Sequence, residues 1–168
     1  EQRTTTYTNA PSGRVTRIER PDLTTIDYTY NPNGEMTVLT TPTPVDHLFD
    51  YNKVHLGSAY HTPVRGSYRY QYNKDRQLTV MQFPSLREIR NIYENKRLTR
   101  VQTPEGTILY DYYDGSRVRA LTKGTEALDY GYDGSLVTSI DSNGTLNAAL
   151  GLSYNNDFQV TELTYAGA

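Results

Sequence analysis

Tyr70-Gln71-Tyr72-Asn73-Lys74-Asp75-Arg76-Gln77-Leu78-Thr79-Val80 is the stretch that decides the fold. Tyr-x-Tyr sets both rings on one face of a strand, because side chains alternate with period two. Asn73 to Arg76 is a short polar run with turn chemistry. Leu78-Thr79-Val80 resumes with residue types that suit a pleated, half-buried surface. The stretch therefore reads as strand, tight turn, strand.

The same pattern recurs on both sides. Tyr7, Tyr28, Phe49 and Tyr70 are each 21 residues apart, and Tyr30, Tyr51, Tyr72 and Tyr93 keep the same step two positions further on. A third ladder, Pro21, Pro42, Pro63 and Pro84, has the identical period, and Pro104 follows after 20. Beyond Tyr93 the step drifts, through Tyr113 and Tyr132 to Tyr154. A fixed period of this length is the signature of a repeat architecture. Each unit contains a tight turn, as at Asn33-Gly34, Asp114-Gly115 and Asp133-Gly134, where positive φ is tolerated. The proline lacks an N–H and fixes φ, so it belongs at a second turn and not within a ladder. The expectation is all-β: about eight tandem antiparallel hairpins of ~21 residues forming a curved, spiralling sheet. It is a single array over residues 1–168, and its opening in mid-unit suggests a piece of a longer chain.

One detail resists simple alternation. The second strand carries hydrophobes at i and i+3, in Val15/Ile18, Leu98/Val101 and Val137/Ile140. Either a bulge intervenes or both faces are partly covered. A short helix also fits that spacing, but the segments are too brief and end at Pro or Gly. The third unit is the least regular, with Val54-His55-Leu56-Gly57 in place of the usual turn.

Composition agrees with a thin sheet. Apolar residues are 36%, below the usual globular share, while there are 16 tyrosines and no tryptophan. With no cysteine, disulfides and thiolate metal sites are excluded. No run approaches the roughly 18 apolar residues of a membrane helix.

The repeated residues resemble the YD or RHS repeat. The carriers are Ser12-Gly13-Arg14-Val15-Thr16-Arg17-Ile18, Arg97-Leu98-Thr99-Arg100-Val101-Gln102-Thr103-Pro104-Glu105-Gly106, and Tyr132-Asp133. The resemblance implies strips of hairpins that wind into a hollow shell, enclosing toxic domains in bacterial Rhs and toxin-complex proteins and serving adhesion in teneurins. It also implies a secreted or cell-surface location. The self-cleavage of bacterial members centres on an Asp-Pro sequence, which this chain does not contain.

Residues that could carry chemistry are few. His47, His55 and His61 sit near Asp46 and Asp50, but their spacing matches no familiar metal motif. Asp111, Asp114 and Asp133 read as turn residues. Asn143-Gly144-Thr145 is a glycosylation sequon or another turn. The formal charge is −2, yet residues 65–100 hold nine Lys/Arg against three acids. Arg65, Arg69, Lys74, Arg76, Arg87, Arg90, Lys96, Arg97 and Arg100, interleaved with tyrosines, form a candidate patch for an anionic glycan. The expected function is a non-catalytic, cofactor-free shell segment that encapsulates or presents other protein parts. Its partners would be neighbouring repeats, self-associating sheet edges or a protein cargo. The alternative is a glycan- or partner-binding module using the tyrosine rows and the basic patch. Nucleic acid and membrane insertion are not expected.

Overall fold

The structure is a computed structural model and describes residues 3–167. Those residues form strands and turns, with no helix among them. They divide into two compact units, residues 1–88 and 89–168. The first contains β1 (Thr6–Asn9), β2 (Val15–Glu19), β3 (Thr25–Tyr30), β4 (Met36–Thr40), β5 (Asp46–Tyr51), β6 (Gly57–Thr62), β7 (Gly66–Tyr72) and β8 (Leu78–Gln82). The second contains β9 (Glu88–Glu94), β10 (Arg97–Thr103), β11 (Gly106–Tyr112), β12 (Val118–Lys123), β13 (Glu126–Asp133), β14 (Leu136–Asn143), β15 (Ala148–Tyr154) and β16 (Val160–Gly167). Within each unit the strands pair antiparallel with their sequence neighbours, so the described strands make eight hairpins.

The turns explain the period. In the first unit most connections share one geometry. The first residue's N–H donates to the fifth carbonyl, the fourth N–H donates to the first carbonyl, and the fourth residue has positive φ. This is a type I turn closed by a bulge. It occurs at Asn31–Glu35 with Gly34 at φ +82°, and at Asn73–Gln77 with Arg76 at +64°. The third unit's turn is the same object, with His55 at +63° in glycine's place. Where an asparagine opens the turn, at Asn31, Asn52 and Asn73, it caps it: Asn73 Oδ1 accepts from the N–H of Asp75 at 3.0 Å and of Gln77 at 2.9 Å. At the opposite end, Pro21 and Pro84 occupy the second turn position, where a fixed φ near −65° is already correct. Leu23 and Leu86 take the left-handed position there.

The second unit mixes two-residue loops with five-residue turns at Tyr113–Arg117 and Asn155–Gln159. Glu94 and Arg97 face each other, leaving only Asn95 and Lys96, both at positive φ as in a type I′ turn. Gly124-Thr125 and Gly134-Ser135 are likewise two-residue loops, with glycine first at positive φ. Changes in loop and strand length together alter the step, and the ladder drifts after Tyr93.

Every hairpin carries a bulge at the same place. Thr29 faces Val38 while Tyr30 faces Met36, so Thr37 is the extra residue. The equivalent break in register falls in all eight hairpins of the described chain. An extra residue restores parity. Val15 and Ile18, or Val137 and Ile140, therefore face the same side despite their i, i+3 spacing. The threonine of the Leu/Val-Thr motif sits in the bulge. The hydroxyls of Thr16, Thr37, Thr79 and Thr99 donate to the carbonyls of Thr8, Thr29, Gln71 and Ile92 at 3.1–3.3 Å.

The pairing also shows a constant slip. Tyr7 stands opposite Ile18 and, one strand on, Ile26, nineteen positions later. Phe49 stands opposite Tyr60 and then Tyr68, again nineteen later. The tyrosine ladder instead steps by 21. In the second unit the paired steps are 17 from Asn91 to Ile108, 18 from Tyr110 to Leu128 and 20 from Tyr130 to Leu150. The ladder steps there are 19 from Tyr93 to Tyr112, 20 from Tyr112 to Tyr132 and 22 from Tyr132 to Tyr154. The step varies with loop length, but the offset is always two residues.

Candidate functional site

The repeated tyrosine is the most regular side-chain site. Because of the slip, the second ring of each Tyr-x-Tyr overhangs the start of the second strand in the preceding hairpin. In five of these rings the hydroxyl donates to a backbone carbonyl there. In the first unit Tyr30 reaches Val15, Tyr51 reaches Met36 and Tyr72 reaches Gly57, each at 2.9 Å. In the second, Tyr112 reaches Leu98 at 2.6 Å and Tyr154 reaches Val137 at 2.7 Å. Burial pushes the phenols of Tyr51 and Tyr112 upward, which keeps them neutral donors. The rung at this point is Tyr112. Tyr113 lies in the following turn, more exposed, with its hydroxyl on the Tyr130 carbonyl at 3.1 Å.

The first ring of each pair serves packing. Phe49 occupies this place without a hydroxyl and stacks on Tyr60 at 5.1 Å, and Tyr60 stacks on Tyr68 at 5.9 Å. Such cross-strand pairs contribute on the order of 0.2–1 kcal/mol each. Arginines at the turns cover the second rings, with Arg14 over Tyr30 and Arg97 over Tyr112. Only Ala59, Val80 and Ala120 are buried hydrophobics among the described residues. Stability in such a sheet rests on rung-to-rung contacts and not on a thick core.

Within the first unit the basic residues are not gathered at one end. In the first unit Arg65 and Arg87 lie at the proline end, Arg69 is on β7, and Lys74 and Arg76 are at the asparagine end. A seven-residue strand, about 23 Å long, separates the two ends. Arg76 Nη2 is engaged with the Val54 carbonyl at 3.1 Å. In the second unit Arg90 is on β9, while Lys96 and Arg97 are at the turn between β9 and β10. Arg100 is on β10 with its Nε buried and without a hydrogen-bond partner in the described residues.

The histidines are all hydrogen-bonded. His47 Nδ1 contacts Tyr60 Oη at 2.5 Å, and His55 Nδ1 contacts Glu35 Oε1 at 2.9 Å. Glu35 is held below the usual carboxylate range, first by the Asn31 amide and then by His55. His61 contacts both Ser67 and Asp50. No three His, Asp or Glu side chains converge as a metal-sized cluster among the described residues. Asp111 is paired with Arg119, whose hydrogen bond lowers its pKa. Asn143 Nδ2 donates to Asp129 at 2.8 Å.

Tandem bulged hairpins, a constant slip and a recurring tyrosine rung define a β-hairpin repeat protein of the structural-wall type. The chain belongs to the teneurin YD-shell family, whose model matches residues 1–166. Similar solved structures include the complex titled TcdB2-TccC3 without its hypervariable C-terminal region. It is 13% identical, covering 97% of this chain and 10% of that one, with a TM-score of 0.75. TcdB2-TccC3-Cdc42 is also 13% identical, over 92% of this chain and 10% of that one, at 0.74. The Tc holotoxin pore of Photorhabdus luminescens is 12% identical, over 86% and 9%, at 0.71. The chain thus spans about a tenth of the length of these structures. No curated protein matches it.

Proposed function

We propose that the chain is a non-catalytic wall segment of a secreted or cell-surface YD shell that encloses or presents other parts of its parent protein. The supporting observation is that the repeat consumes the described chain. Tyr, Asn, Thr and Pro at their recurring positions are each spent on rung, turn, bulge or corner. The sheet's neighbours are then further hairpins of the same kind, whose rung tyrosines would meet carbonyls such as that of Val160, which stands where Val15 and Val137 stand. Limited proteolysis of the full-length parent polypeptide tests this reading. The array and any segment it encloses should outlast that same segment expressed alone. Equal cleavage rates for the enclosed and free segment would refute encapsulation.

A further inference from the structure

One polar cluster on the first unit is not used by the repeat. Asp50, His61 and Ser67 come from β5, β6 and β7 and share a face. His61 stands directly opposite Ser67, with Leu48 as its other cross-strand neighbour. Ser67 Oγ lies 2.7 Å from His61 Nδ1, and His61 Nε2 lies 2.8 Å from Asp50 Oδ2. An ionised carboxylate only accepts, so the Asp50 contact places the imidazole proton on Nε2. That leaves Nδ1 as the acceptor for the Ser67 hydroxyl. The order of contacts is serine, imidazole, carboxylate, with the two ring nitrogens exchanged relative to the familiar protease arrangement. Ala59, on the same face, is 6% exposed between Asp50 and Arg69. A small floor residue thus separates a carboxylate from a guanidinium two positions along the strand from Ser67.

We propose that Asp50, His61 and Ser67 form a proton relay that makes Ser67 a stoichiometric acyl acceptor toward activated esters, a reactivity without turnover that leaves the wall segment non-catalytic. Ser67 Oγ attacks the carbonyl carbon while its proton passes to His61 Nδ1, and Asp50 stabilises the imidazolium through Nε2–H. Arg69, two positions along β7 on the same face, is the cation available to the developing oxyanion. As the tetrahedral intermediate collapses, the ester C–O bond breaks and the departing alkoxide takes the proton from His61. The products are an acyl-serine and an alcohol, with atoms and charge balanced.

A fluorophosphonate probe tests the nucleophile on the intact chain, since the Oγ–P bond forms as fluoride leaves. The expected result is one adduct located on Ser67 by intact mass and peptide mapping, and none in Ser67→Ala. Loss of the base in His61→Gln should slow labelling about 100-fold or more, and added imidazole should restore part of the rate in His61→Ala. Asp50→Asn should also slow it, because an amide donating to Nε2 moves the ring proton onto Nδ1. All three side chains lie on a solvent-facing surface, so strand content by circular dichroism should not change; if a His61 variant fails to fold, Asp50→Asn carries the test. No adduct at Ser67, or labelling whose rate ignores His61 and Asp50, overturns the proposal.

Discussion

Replacing Tyr72 by Phe isolates the rung hydrogen bond from the rung's packing. The ring stays, while the hydroxyl that donates to the Gly57 carbonyl at 2.9 Å is removed. A hydrogen bond of this kind contributes about 0.5–1.5 kcal/mol net. The contact is part-buried, so water only partly replaces the lost donor. Tyr70 is the internal control: it is two residues away on the same strand, its place is held by Phe49 one hairpin earlier, and no hydrogen bond of its hydroxyl occurs among the described residues. Tyr70→Phe should therefore stay within about 0.5 kcal/mol of wild type, because the ring's packing is kept and no hydrogen bond is lost. Urea unfolding followed by far-ultraviolet circular dichroism reads the difference. With a slope of ~1–3 kcal/mol/M, a loss of about 1 kcal/mol moves the midpoint by roughly 0.3–1 M. Tyr51→Phe, one rung away, should cost a similar amount. Equal midpoints for Tyr70→Phe and Tyr72→Phe would refute the hydroxyl's role and leave only the aromatic packing.

Two further outcomes follow from the turns and the charged pairs. Leu86 is three-quarters exposed and sits at φ +65°, so Leu86→Gly should raise the thermal midpoint, by up to about 1 kcal/mol of relieved left-handed strain; a lower midpoint would mean that the leucine side chain has a packing role. Asp27 is held below the ordinary carboxylate range, first by its hydrogen bond from Arg17 at 2.6 Å, which outweighs the rise from burial, with the Arg17 charge and the Thr25 hydroxyl adding to the fall. A depressed folded pKa means that the pair's stabilisation is present above about pH 4 and lost as pH falls through the folded value. Asp27→Asn should thus melt slightly below wild type at pH 6 and together with it near pH 2, and a gap that persists in acid would exclude this pair as its source.

Much of this architecture was legible because it is encoded locally. Asn73 caps its own turn, Pro84 pre-sets its own corner, and Tyr70 and Tyr72 share a face by simple alternation. The i, i+3 hydrophobes announced a bulge without locating it; locating it required knowing that Thr37 has no cross-strand partner. The ladder shifted from Tyr113 to Tyr112 because both are tyrosines at a shortened step, and only the reach to the Leu98 carbonyl separates them. His55 read as an irregularity because left-handed positions favour glycine, whereas the Asn52 cap and the Glu35 contact hold an imidazole there. The Asp50–His61–Ser67 chain was invisible for a different reason. Its members are 11 and 6 positions apart in sequence, and only the register of three strands brings them together.

The two-residue offset has a consequence beyond the placing of rungs. Two strands advance the sheet by about 9.6 Å, while two residues displace the equivalent position by about 6.6 Å along the strands. The line joining successive tyrosines therefore runs about 35° from the hydrogen-bond direction, close to the strand tilt that closed barrels adopt. Within each unit the rungs are therefore staggered by the same amount from one hairpin to the next. Because the step varies from 19 to 22 residues without touching the offset, insertions at the corners leave the stagger intact, and a single residue gained or lost within a strand is the change that would alter it.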